Sequence, residues 1–133
     1  MHTLRALMAD DNPIVLDLIE EILGGRIKIA GRFGDGASIL ECHNQIHPDI
    51  VILDITMPCM NGLEVAKRIS ASEHPAKIIM LSVYEESEFV RAAFEAGASC
   101  YVFKSRIDSD LPDAFDALSR GERYVSSMLG RVV

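Results

Sequence analysis

The chain has 133 residues, 49% hydrophobic and 25% charged, which fits one compact globular domain and leaves no excess for a disordered or membrane-embedded protein. Twenty Asp and Glu against thirteen Lys and Arg give a net charge of −7, so the domain as a whole repels phosphate backbones and anionic lipid, and neither nucleic acid nor membrane is expected as a direct partner. The opening MHTLRALMADDN lacks the long apolar stretch of a signal peptide, and no run of 18 apolar residues occurs, so a cytoplasmic location is expected.

Short runs rich in β-branched and apolar residues recur between stretches of helical period. Leu4 to Ala9 reads as a first strand that ends at Asp10, Asp11 and Asn12. Pro13 then sits where a first helical turn tolerates it, Val15, Leu18, Ile19, Ile22 and Leu23 follow at helical spacing, and Gly24 and Gly25 stop the helix. A second strand, Ile27 to Arg32, leads through Gly34 and Gly36 to a helix that breaks before Pro48. Asp49 to Asp54 is a third strand whose apolar centre suits burial on both faces.

After the MPCMNG turn, Asn61 is expected to cap a helix running to about Ala71, with Glu64 and Arg68 paired four residues apart. Lys77 to Ser82 is the fourth strand, Ser87 to Ala96 a helix ended by Gly97, Ser99 to Lys104 the fifth strand, and Ser109 to Arg120 a last helix ended by Gly121. This alternation predicts an α/β fold, a doubly wound five-stranded parallel sheet of order 2-1-3-4-5, whose chemistry gathers at the carboxyl ends of the strands. The cysteines Cys42, Cys59 and Cys100 show no CxxC and no metal-ligand spacing to a histidine, and they read as reduced core or near-core thiols.

In that fold strand one delivers Asp10 and Asp11 to the shared edge, strand three Asp54, strand four Ser82 and strand five Lys104. Carboxylates this close raise one another's pKa unless a cation intervenes, so the cluster is a plausible Mg²⁺ site. Its composition suits phosphoryl chemistry: one carboxylate as nucleophile toward phosphorus, with the Lys and Ser binding the rest of the group. Taken singly, each residue has a plainer reading, the acidic pair and Asn12 as a turn and N-cap, Ser82 and Lys104 as polar strand ends. Their joint placement on four strand ends favours a site. Met57, Met60 and Met80 read as packing residues, and His2, His43, His47 and His74 fall outside the cluster.

From about Thr3 to Gly121 the chain resembles the receiver domain of bacterial two-component response regulators. The matching motifs are the Asp10 and Asp11 pair, Asp54 followed by Met57, Pro58, Met60 and Gly62, then Ser82, the FEAGA stretch from Phe94 to Ala98, Tyr101 and Lys104. The resemblance implies a CheY-like fold in which Asp54 accepts a phosphoryl group from a sensor histidine kinase. It implies Mg²⁺ held by Asp11, by Asp54 and by the Thr56 backbone carbonyl, with Asp10 acting through water. It further implies that Ser82 and Tyr101 form the conformational switch, and that the domain is a switch rather than an enzyme, with self-phosphorylation from small donors and autodephosphorylation as side chemistry.

The stretch from Asp113 to Ser127 is similar to the last helix and linker of NarL/FixJ-type regulators. That likeness implies a receiver over 1–121, the start of a linker over 122–133, a phosphorylation-dependent homodimer, and control of transcription, with DNA bound only through a C-terminal helix-turn-helix not present in this chain. Two departures from the family pattern stand out: Ser82 where Thr is more frequent, and Ser105 where many receivers carry a cis-linked proline. The main alternative is a haloacid-dehalogenase-like Mg²⁺-dependent phosphatase, which needs a second Asp two residues after the first, where Thr56 stands. A flavodoxin-like binding module shares the strand order, but Asp10 and Asp11 put negative charge where its phosphate would sit.

Overall fold

The computed structural model describes residues 3–127. The chain runs β1 (Leu4–Ala9), α1 (Pro13–Leu23), β2 (Ile27–Phe33), α2 (Gly36–Ile46), β3 (Ile50–Asp54), α3 (Gly62–Ser70), β4 (Lys77–Ser82), α4 (Ser87–Glu95), β5 (Cys100–Phe103), a single 3₁₀ turn (Lys104–Arg106), α5 (Ile107–Ser119) and β6 (Tyr124–Val125). All pairings are parallel and the sheet order is β2-β1-β3-β4-β5-β6, the expected order extended by one strand. None of the described helices is long and apolar enough to cross a membrane.

Period-two alternation divides the central strands between two cores. Ala6, Met8, Ile50, Ile52, Ile79, Leu81, Cys100 and Val102 face α1 and α5, where Leu16, Ile19, Leu111 and Leu118 meet them. Leu7, Ala9, Val51, Leu53, Ile78, Met80, Tyr101 and Phe103 face α2, α3 and α4. Each fully buried Leu or Ile contributes about 1.5–3 kcal/mol, so the two layers hold the strand ends in fixed register. The predicted caps form: Asn12 Oδ1 accepts from Ile14 N–H at 3.0 Å, and Asn61 Oδ1 from Glu64 N–H at 3.0 Å. Glu64 and Arg68 pair at 2.9 Å as their spacing requires.

Three features differ from the sequence reading. The last helix begins at Ile107 rather than Ser109, because Ile107 is buried against the α1 and α5 core and the 3₁₀ turn feeds straight into it. The segment read as linker supplies β6, with Tyr124 and Ser126 both buried; its part at 128–133 lies outside the described residues. Finally, Cys59 is exposed rather than near-core, since it occupies the left-handed corner (φ 70°) of the turn after β3, whereas Cys100 is buried and Cys42 half-buried.

Gly97 holds φ at 108°, and a Cβ placed there would lie 1.9 Å from Ser70 Oγ on α3. Gly97→Ala combines a backbone conformation that L-residues avoid with a steric clash. It is expected to cost about 1–3 kcal/mol, read as a lowered midpoint with unchanged slope in urea unfolding.

Candidate functional site

The strand ends converge as the topology demands. Asp10, Asp11 and Asp54 each present a carboxylate oxygen, all within 4.8 Å of one another, with Asp10 and Asp54 buried and Asp11 exposed. Their positions are fixed by backbone contacts. Asp10 N–H donates to Phe33 O at 3.0 Å, and its Oδ1 accepts from Asn12 N–H at 2.9 Å, so the acid also shapes the turn into α1. Behind Asp54, Gly62 N–H donates to Ile55 O at 2.7 Å, and a Cβ at Gly62 would come within 2.0 Å of the Asp54 carbonyl oxygen. The turn bearing Met57, Pro58 and Met60 can therefore fold tightly behind the acid only with glycine at 62.

Lys104 enters from the end of β5. Its Nζ lies 2.7 Å from Asp10 Oδ2 and 3.2 Å from Asp54 Oδ2, so the shorter of its two ion pairs is with Asp10 and not with Asp54. Burial opposes charge on Lys104, but Asp10 and Asp54 outweigh it and raise the amine above its ordinary value. Burial also pushes the Asp54 carboxyl up, as does the Asp10 charge, against the opposing pull of Lys104 and of the Thr56 backbone N–H. Asp10 Oδ2 is buried, and its partner and counter-charge is the Lys104 ammonium. Three carboxylates facing one amine leave the cluster short of positive charge. Three carboxylates whose oxygens lie within 4.8 Å of one another are hard donors that fit Mg²⁺ well.

Ser82 and Tyr101 are both fully buried. Ser82 Oγ accepts from Tyr84 N–H at 3.0 Å and gives its own proton to the Tyr101 oxygen. Tyr101 O–H donates to Tyr84 O at 2.7 Å, and burial raises its pKa, opposed by a hydrogen bond with Ser82. The Tyr101 ring lies inside, packed edge-on to Phe103 with ring centres 6.0 Å apart.

Sequence reasoning missed Tyr84. Its ring stacks on Phe89 with centres 4.2 Å apart, and Thr56 Oγ1 donates to its hydroxyl at 3.2 Å, which links the loops after β3 and β4. The sequence signal, an aromatic two residues beyond Ser82, is no stronger than that of any loop tyrosine. His43, His47 and His74 do lie apart from the cluster, gathered around a separate surface hollow.

Residues 6–116 match the family model of the response regulator receiver domain. The chain is similar to the uncharacterized transcriptional regulatory protein YxjL of Bacillus subtilis, 32% identical over 90% of this chain and 56% of that one. It is 29% identical to the transcriptional regulatory protein LiaR of Bacillus subtilis, over 98% of this chain and 63% of that one. It therefore spans less than two thirds of the length of these curated relatives. Among solved structures it resembles a two-component response regulator of the LuxR family from Aurantimonas sp. SI85-9A1, 30% identical with a TM-score of 0.85 over 92% of this chain and 89% of that one. A dehalogenase-like phosphatase is not what these matches favour, and Thr56 offers no second carboxylate.

Because Asp54 binds its proton more tightly in the folded than in the unfolded chain, protonation stabilises the fold fully below pH 3.8, and that gain is lost as pH rises through the raised value. At pH 7 the ionised acid is a cost. Asp54→Asn is expected to stabilise the metal-free protein by on the order of 1 kcal/mol at pH 7, the gain shrinking toward pH 4, as followed by thermal melts across that range.

Proposed function

The chain belongs to the response regulator receiver domain family, and from that premise we propose that Asp54 is its phosphoryl acceptor, loaded by a sensor histidine kinase. The observation that carries this reading is a buried carboxyl of raised proton affinity at the end of β3, in reach of two further acids and one lysine. An Asp54 oxygen attacks phosphorus as the P–N bond of a phosphohistidine breaks, and the imidazole leaves with the electron pair and takes up a proton. With acetyl phosphate a P–O bond breaks instead and acetate departs.

Asp11, Asp54, Asp10 and the Thr56 carbonyl would hold Mg²⁺, whose charge when bound neutralises the non-bridging oxygens of the phosphoryl group. Lys104 keeps the pair of buried acids ionised before transfer and binds a phosphoryl oxygen after it. The Ser82 proton serves another oxygen, a charge-assisted bond that the free carboxylate does not draw. Ser82 and Tyr101 act as the switch through Tyr84, whose N–H and carbonyl they share, so displacement of Ser82 is felt at the Tyr101 hydroxyl.

Supported by relatives named as transcriptional regulators, we read the whole protein as a NarL/FixJ-type regulator of transcription acting in the cytoplasm. The receiver, 1–121 with the linker that follows, would control a homodimer and a helix-turn-helix that alone binds DNA. The domain is a switch and not an enzyme; self-phosphorylation from small donors and hydrolysis of its own phosphoryl group would use the same cluster of acids at the carboxyl edge of the sheet.

Incubation with acetyl phosphate or phosphoramidate and Mg²⁺ is expected to add one phosphate by intact mass, and Asp54→Asn to add none. Equal labelling of the Asn variant would reject the assignment. Lys104→Arg is expected to leave the fold intact yet fail to restore the phosphorylation-dependent conformational change seen by NMR, since a planar guanidinium cannot occupy the place of a compact ammonium. Mg²⁺ at about 100 times its Kd should stabilise the protein by about 2.7 kcal/mol in thermal melts. Asp11→Asn should lose that gain while making the metal-free protein more stable. A full Mg²⁺ response in Asp11→Asn would place the metal elsewhere.

A further inference from the structure

Lys104 reaches the acids from a backbone that is gripped on both sides. On one side, Phe103 N–H donates to Ser126 Oγ at 3.1 Å in a buried bond. On the other, Arg106, the last residue of the 3₁₀ turn, pairs through Nε with Asp110 Oδ2 at 2.9 Å. Asp110 is itself buried on α5, accepts from Ser109 Oγ at 2.9 Å, and has Ser126 as a further hydrogen-bonding partner. Phe103, Lys104, Ser105, Arg106, Asp110 and Ser126 thus close a ring, with Ser126 as the member that joins its two ends.

Ser126 belongs to the chain that follows α5. It is 3% exposed, and its N–H donates to Tyr101 O at 2.9 Å, while Tyr124 N–H donates to Ser99 O at 3.3 Å. These ties run to β5 and to Ser99 just before it, and β5 is the strand that carries both Tyr101 and the approach to Lys104.

The geometry points to Ser126 as a positioning residue for Lys104, which makes docking of β6 and occupation of the Asp54 site energetically coupled. This rests on the reading of Asp54 as phosphoryl acceptor. A lysine held on two sides meets the phosphoryl oxygen without first being ordered. By reciprocity, an oxygen that draws Lys104 toward it must alter how firmly Tyr124–Ser126 lies on β5, and so how the rest of the chain leaves the domain.

The test uses the full chain with beryllofluoride and Mg²⁺ as the phosphoryl mimic, binding being followed by NMR titration. Ser126→Ala should weaken binding about fivefold or more, and Ser126→Thr, which keeps the hydroxyl, should stay within about twofold of wild type. Asp110→Asn, which opens the same ring at another joint, should weaken binding in the same direction and stands in if Ser126→Ala fails to fold. In a Lys104→Ala background the Ser126→Ala loss should disappear, an outcome that a merely structural role would not produce. Amide exchange at 124–126 should also change when wild type takes up the mimic. Wild-type affinity in both Ser126→Ala and Asp110→Asn, or a Ser126 effect undiminished without Lys104, would overturn the inference alone. Failure of wild type to bind beryllofluoride would overturn the Asp54 reading beneath it.

Discussion

One ammonium facing two buried carboxylates is the constraint on which the site depends. Lys104 lies 2.7 Å from Asp10 and 3.2 Å from Asp54, and the exposed Asp11 adds a third negative charge to the same few ångströms. Removing charges from water costs several kcal/mol per ion, and a single cation cannot offset two buried anions fully. The raised proton affinity of Asp54 is that deficit expressed at one atom. The deficit also makes the cluster receptive: a divalent cation supplies charge that the protein lacks, and a phosphoryl group then finds donors already in place.

Such a site needs a scaffold that will not relax around it. The two cores provide it, because residues alternating along β1, β3, β4 and β5 are buried on both faces of the sheet and a strand cannot slip without exposing one whole row. The turns behind the acids are equally committed. Gly36 would carry a Cβ to within 2.0 Å of the Met60 carbonyl oxygen, and Gly62 approaches the Asp54 carbonyl as closely, so the loops after β2 and β3 pack backbone to backbone. Stability is gathered in the sheet and spent at its carboxyl edge.

What the sequence made legible was what depends on local period. Five strands, their order, the Asn12 and Asn61 caps and the presence of Asp10, Asp11, Asp54, Ser82 and Lys104 at one edge all follow from alternation, turn chemistry and right-handed crossovers. What escaped depends on contacts far apart in sequence. Tyr124–Val125 is too short to show a strand's alternation, and it is a strand only because β5 offers an unpaired edge. Nothing near residue 126 announces that its hydroxyl will meet Phe103 and Asp110. Likewise the preference of Lys104 for Asp10 reflects sub-ångström placement across two strands, a scale on which spacing is silent.

β5 is where these two kinds of information meet. Its four residues pair with β4 on one side and the first two of them with β6 on the other, and the strand carries the ring of Tyr101 on one face and the approach to Lys104 at one end. A central strand of a parallel sheet is a poor mechanical element if every neighbour is equally rigid. Here the neighbours differ: β4 is buried along nearly its whole length and pairs with all of β5, whereas β6 is two residues long, pairs only with Cys100 and Tyr101, and adds the buried Tyr124 side chain. On the coupling inferred above, a displacement at the carboxyl end of β5 reaches the β6 side through the bond from Phe103 N–H to Ser126 Oγ. The sheet thereby gives a change at Asp54 a direction, toward the chain that continues beyond α5.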